Sequence, residues 1–194
     1  MKQSMGQRTW AAAIGEVRRS VVRHKIVSVI VALCVAGSLT AIALAGSASG
    51  QPAQPAHPAA PGFSLPVLGH PGQQVTISGY AGQPLIVNFF ASWCEPCKKE
   101  TPLLAAFYRS EHGTVAVVGL DENDVRASAM SFTRADGVTY PVGWDPVATA
   151  ASAYGVSALP QTFFLDTRHR IVDRVFGPLT LADIHRGIAL AEAG

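Results

Sequence analysis

From residue 26 on, apolar and polar positions divide the chain into three unlike stretches. Residues 26–45, "IVSVIVALCVAGSLTAIALA", contain no charge, and twenty helical residues span roughly 30 Å, the thickness of a bilayer core. Residues 46–61, "GSASGQPAQPAHPAAP", carry prolines at 52, 55, 58 and 61 and no charge. That composition cannot bury a core and suits a semi-stiff spacer, at roughly 3 Å per residue a reach of about 50 Å. From residue 62 to 194 short apolar runs alternate with amphipathic ones, the pattern of one α/β domain. Strands are predicted at 73–78 ("QQVTIS"), 85–90 ("LIVNFF"), 114–120 ("TVAVVGL"), 162–166 ("TFFLD") and 171–177 ("IVDRVFG"). The runs at 85–90 and 114–120 are almost wholly apolar, as strands buried on both faces are. Helices are predicted from about Cys94 through "CKKETPLLAAFYRSE", over 123–136 with Val125, Ala129 and Phe132 on one face, over 148–155, and over 180–193 with Thr180 as N-cap. Strand–helix–strand units followed by a hairpin and a last helix imply a mixed central sheet with helices on both faces.

Charge orients the first stretch. Lys2, Arg8, Arg18, Arg19, Arg23 and Lys25 precede the apolar run against a single Glu16. This basic N-terminus, residues 1–25, is expected in the cytoplasm and everything after residue 45 outside it. The length of the run fits a retained transmembrane anchor, hence a single-pass membrane protein. A cleaved signal ending near Ala43-Leu44-Ala45 is the other reading, and it gives a secreted domain. The pair Arg18-Arg19 serves as topogenic charge, and Cys34 as a small apolar residue within the run. A net charge of +2 over 194 residues does not suggest a nucleic-acid partner.

The chemistry concentrates in "FFASWCEPCKKETP", residues 89–102, with Cys94 and Cys97 three residues apart. A structural zinc site needs four ligands. The histidines at 70, 112, 169 and 185 never fall at ligand spacing, so no metal is expected. An inert disulfide closing so small a loop removes little chain entropy. A redox couple fits the placement better. Cys94 follows a buried strand and opens a helix, where unpaired N–H groups and the helix dipole favour a thiolate. Cys97 lies one turn further on, within reach of a disulfide.

"NFFASWCEPCKKETP", "PGFSLPVLG" and "YGVSALPQTFFLD" together resemble the thioredoxin superfamily, specifically its membrane-tethered TlpA-like and ResA-like thiol–disulfide oxidoreductases. The resemblance covers residues 62–193 in order and implies a thioredoxin-like fold. It implies that Cys94 is the exposed nucleophile, that Cys97 resolves the mixed disulfide, and that the Cys94–Cys97 pair is itself the redox group, with no other cofactor. Pro96 then stiffens the turn between them, Trp93 shapes the site, and Pro102 kinks the helix. Leu159–Pro160 is implied to be a cis peptide facing the disulfide, whose neighbouring backbone can pair with an extended substrate. Asn88 occupies the strand position where cytoplasmic thioredoxins carry a buried acid. Glu100 matches the glutamate credited with proton handling in the TlpA-like group.

The resemblance implies protein thiols and disulfides as substrates. Apocytochrome c would be the substrate of a reductant in cytochrome c maturation, itself re-reduced by a transmembrane thiol electron carrier. Exported proteins would be the substrates of a disulfide-forming oxidase. Glu95 tips the reading toward the reductant, because a carboxylate between the cysteines disfavours a nearby thiolate and so the reduced state. A thiol peroxidase would be expected to carry a threonine three residues before its cysteine, where this chain has Ala91. A binding module would have no need of both cysteines, Pro160 and Glu100.

Overall fold

The run Leu85–Phe90 forms β3, with all six residues buried, at the centre of a five-stranded sheet. In this computed structural model residues 57–111 and 115–194 are described. β3 pairs in parallel with β4 (Ala116–Glu122) and antiparallel with β6 (Gln161–Leu165). β5 (Val142–Asp145) and β7 (Ile171–Phe176) complete the order β5-β4-β3-β6-β7, mixed as expected. A two-stranded ribbon, β1 (Ser64–Pro66) with β2 (Gln74–Thr76), precedes it.

Side-chain alternation along β3 builds two cores. Ile86 and Phe90 face α1 (Glu95–Ser110), α2 (Arg126–Ala135) and α4 (Leu181–Ala193), meeting Cys97, Leu104, Ala129 and Ile184. Leu85, Val87 and Phe89 face α3 (Thr149–Tyr154) and the ribbon, meeting Ala150, Tyr154, Leu65 and Val75. Helices therefore cover both faces of the sheet.

Local signals set most boundaries. Thr180 caps α4 in a reciprocal capping box with Asp183, and Gly155 ends α3 at φ 65°. Elsewhere the boundaries shift. The strand expected at 73–78 stops at Thr76, whose hydroxyl accepts from Gly79 N–H and starts a 3-10 turn, Ile77–Tyr80. β4 runs on to Glu122 through Asp121, which is buried although charge in the sequence marks an end there. α2 starts at Arg126, and Val125 is exposed instead of sharing the buried face with Ala129. β5 was not expected, because four residues are too few to show a period.

The folded unit also reaches back past residue 62. Ala60 N–H donates to His169 C=O (2.8 Å) and Ile171 N–H to Pro58 C=O (2.9 Å), so the end of the spacer pairs with the β6–β7 hairpin. The remaining expectations for residues 1–56, including the anchor or signal at 26–45, lie outside the described residues. Among the described residues no helix is long and apolar enough to cross a membrane.

Gly187 lets α4 approach the sheet, since a Cβ there would sit 2.3 Å from the Phe164 ring. Gly187→Ala is expected to lower the thermal midpoint. Overpacking of about 1–3 kcal/mol outweighs the roughly 1 kcal/mol helix-propensity gain, because the obstacle is a fully buried ring. A midpoint equal to or above wild type in a melting experiment contradicts this packing.

Candidate active site

β3 ends at Phe90, and Ala91, Ser92 and Trp93 carry the chain to Cys94, the N-cap of α1. Cys94 N–H donates to Ala91 C=O (3.1 Å), and its Sγ accepts from Cys97 N–H (3.2 Å). Pro96 stands in the first turn, where a helix needs no N–H. Cys94 and Cys97 form a disulfide, S–S 1.99 Å, with Cα atoms 5.3 Å apart. Cys94 keeps 4% exposure while Cys97 has none, so an incoming group has access only to Cys94. The Cys97 N–H points at that sulfur, which sits at the positive end of the α1 dipole.

Beneath the pair lies a buried polar network. Glu100, one turn beyond Cys97, is 1% exposed. Its Oε1 accepts from Asn88 Nδ2 (2.7 Å) and its Oε2 from Leu179 N–H (2.8 Å). Asn88 also donates to Thr162 Oγ1 (2.9 Å), tying β3 to β6. Burial pushes the Glu100 pKa up to about 7, against the two hydrogen bonds that favour its anion. The carboxyl is thus poised to change protonation state near neutral pH. Thr101 Oγ1 donates to Cys97 C=O (2.9 Å) within the same turn. Pro102 lies inside α1, which continues through it to Ser110.

The other expected site residues surround this centre. Trp93 is half exposed, and its indole N–H donates to Asn123 C=O (3.1 Å). Glu95 is exposed and pairs with Lys98; the hydrogen bond and charge of Lys98 hold its pKa below the usual value. That lysine offsets much of the negative charge of Glu95. Leu159–Pro160 is a cis peptide. Pro160 is buried, and Leu159 packs against the core that contains both cysteines. Ala91 is buried and offers no hydroxyl.

Sequence reasoning did not find Leu179 N–H, Thr162 or Tyr140. Leu179 and Thr162 reach the network from 79 and 74 residues away. Tyr140 is buried, which raises its phenol pKa, with the Glu100 charge as a smaller cause. It also missed Asp124, whose Oδ2 accepts from Ser92 N–H (2.6 Å). The acids clustered at 121–124 were the available signal.

A strand-to-helix disulfide with one accessible cysteine, over a buried protonatable carboxyl and on a thioredoxin-like sheet, defines a thiol–disulfide oxidoreductase of the TlpA/ResA type. The AhpC/TSA family profile matches residues 57–174, and the chain belongs to that family. It is 32% identical to the thiol-disulfide oxidoreductase ResA of Bacillus subtilis (strain 168), over 63% of this chain and 69% of that protein. It is 38% identical to the thiol:disulfide interchange protein DsbE of Allochromatium vinosum, over 62% of this chain and 66% of that one. The chain thus spans about two thirds of the length of these curated relatives. Among solved structures, a thioredoxin-family thiol:disulfide interchange protein from Chlorobium tepidum TLS aligns at TM-score 0.63 and 25% identity, covering 72% of this chain and 99% of that one. A DsbF homologue from Corynebacterium diphtheriae aligns at TM-score 0.62 and 26% identity, covering 68% and 85%.

Proposed function

We propose that this protein reduces protein disulfides outside the cytoplasm, in the maturation of c-type cytochromes. The observation that carries the chemistry is the accessible Cys94 at the start of α1, with buried Cys97 and Glu100 on the same helix behind it. In the reduced enzyme the Cys94 thiolate attacks one sulfur of a substrate disulfide. The mixed disulfide forms and the other substrate sulfur leaves as a thiolate that takes a proton. Cys97 then gives its proton to the Glu100 carboxylate and attacks Cys94 Sγ. The second substrate thiolate is expelled, and the enzyme is left oxidised with two electrons transferred. The redox group is the cysteine pair itself. A thiol electron carrier of the membrane restores the reduced state.

The cis Leu159–Pro160 segment supplies the surface on which an extended substrate strand docks. The relatives named ResA and DsbE support this class of substrate, and the basic flank and apolar run of residues 1–45 support the location. Cleavage of that run would give a secreted domain with the same chemistry.

The direction of electron flow is tested by the equilibrium of the pair against glutathione. A potential near the roughly −270 mV of thioredoxin is expected, far from the roughly −120 mV of a strong oxidase. A value above about −180 mV, with efficient oxidation of a reduced unfolded protein, would move the assignment to disulfide formation.

Glu95→Ala should shift the couple in the oxidising direction, since it removes a carboxylate and leaves Lys98 unpaired beside the thiolate. The shift is expected to be modest, of order 10–20 mV, because water screens an exposed pair. A shift toward more negative potential would show that Glu95 does not act through its charge.

A further inference from the structure

We propose that Asp121 and Asp124 form a carboxyl–carboxylate pair that positions the loop delivering Cys94 to the head of α1. The inference rests on the redox reading of Cys94 and adds two residues from the facing strand–helix connection. That connection grips the loop at successive residues. Asp124 Oδ2 accepts from Ser92 N–H (2.6 Å), and Asn123 C=O accepts from the Trp93 indole (3.1 Å).

The connection is itself held from β5. Asn123 N–H donates to Asp145 C=O (3.0 Å) and Trp144 Nε1 to Asp124 C=O (3.1 Å), with Asn123 in the left-handed region at φ 48°. Such a conformation persists where surrounding contacts over-determine it. Asp124 Oδ1 accepts from Val125 N–H (2.6 Å), so both its oxygens are engaged.

Asp121 explains why the carboxylate stays in place. It lies on β4 in register with Phe90 and Trp144 and has no exposure. Among the described residues no N–H or O–H group donates to either of its oxygens. A buried carboxylate without donors is strongly disfavoured. The polar group it meets is the Asp124 carboxyl, and two such groups hydrogen-bond only if one carries a proton.

Burial first, then the Asp124 charge, push the Asp121 pKa up to about 9, so Asp121 supplies that proton. The other acids that act on it, Glu122 and Asp145, push the same way. Arg126, the cation at the start of α2, lies over the Trp144 ring (4.6 Å). Cys94 and Cys97 do not titrate while joined.

Insulin reduction with dithiothreitol as electron donor tests the pair, on full-length wild type, Asp124→Ala, Asp124→Asn and Asp121→Asn from pH 6.5 to 10. Both Asp124 variants lose the charge, but only the amide keeps an acceptor for Ser92. At pH 7, Asp124→Ala is expected to lose about tenfold or more in kcat/KM, because misplacing a reacting group is expensive. Asp124→Asn should stay within about threefold. Asp121→Asn keeps a permanent donor, so its activity relative to wild type should rise as pH passes about 9, where wild type ionises.

Equal losses in the two Asp124 variants would assign the effect to charge and overturn positioning. Superimposable pH profiles of Asp121→Asn and wild type would overturn the pair, and this comparison decides the matter if Asp124→Ala does not fold. Mass spectrometry of alkylated cysteines reports separately on whether Cys94 is the reactive thiol.

Discussion

Replacing Cys97 with serine is expected to make the protein accumulate mixed disulfides through Cys94, and the reciprocal Cys94→Ser to accumulate few. The asymmetry follows from geometry. Cys94 keeps an accessible edge at the helix start, whereas Cys97 has none and faces the Glu100 side of the same helix. Without the resolving thiol, a mixed disulfide can be cleared only by an outside thiol, which is slow beside the intramolecular reaction. Both variants should lose essentially all turnover in insulin reduction. Diagonal gels of whole membranes and supernatants would display the trapped partners. Equal trapping by the two variants would overturn the assignment of nucleophile and resolver, though not the redox pair.

The second large effect is expected at Glu100. Its folded-state pKa of about 7 lies above the ordinary 4.5, because burial disfavours the anion. Between those two values the folded protein holds a proton that the unfolded chain has released. The stability tied to that proton is fully present below about pH 4.5 and is lost as pH rises to 7. For the oxidised protein this amounts to roughly 3 kcal/mol across the window, at 1.36 kcal/mol per pH unit. Glu100→Gln should remove that slope. The variant also changes the hydrogen bonding, since the amide can accept from Asn88 or from Leu179 N–H but offers only one carbonyl oxygen. A constant offset of about 1–3 kcal/mol is therefore expected beneath the lost slope.

In the reduced protein, an anionic Glu100 holds the thiol pKa values up, so the amide should lower them and speed alkylation near neutral pH. Urea unfolding at a series of pH values, with alkylation rates measured alongside, checks both parts. Unchanged stability slopes and alkylation curves would reduce Glu100 to a structural residue.

The Cys94–Cys97 disulfide at a strand-to-helix junction was legible because it depends on neighbours in sequence: an apolar strand, a short loop and a helix start. The same holds for Thr180 as a cap. The burial of Glu100 was only half legible. The resemblance pointed to the residue, but its pKa depends on burial, with Asn88 and Leu179 closing over it from a strand and a distant loop.

Asp121 lies just past the strand expected at 114–120, because a charge in sequence signals solvent. The fold instead buries it, with no N–H or O–H donor to either of its oxygens among the described residues. The sequence alone therefore determined the class of chemistry, since secondary structure and helix-start electrostatics are short-range. The protonation states and the placement of the active loop were decided by the tertiary structure. Desolvation and hydrogen bonding depend on which residues meet across the sheet, and no local pattern encodes that.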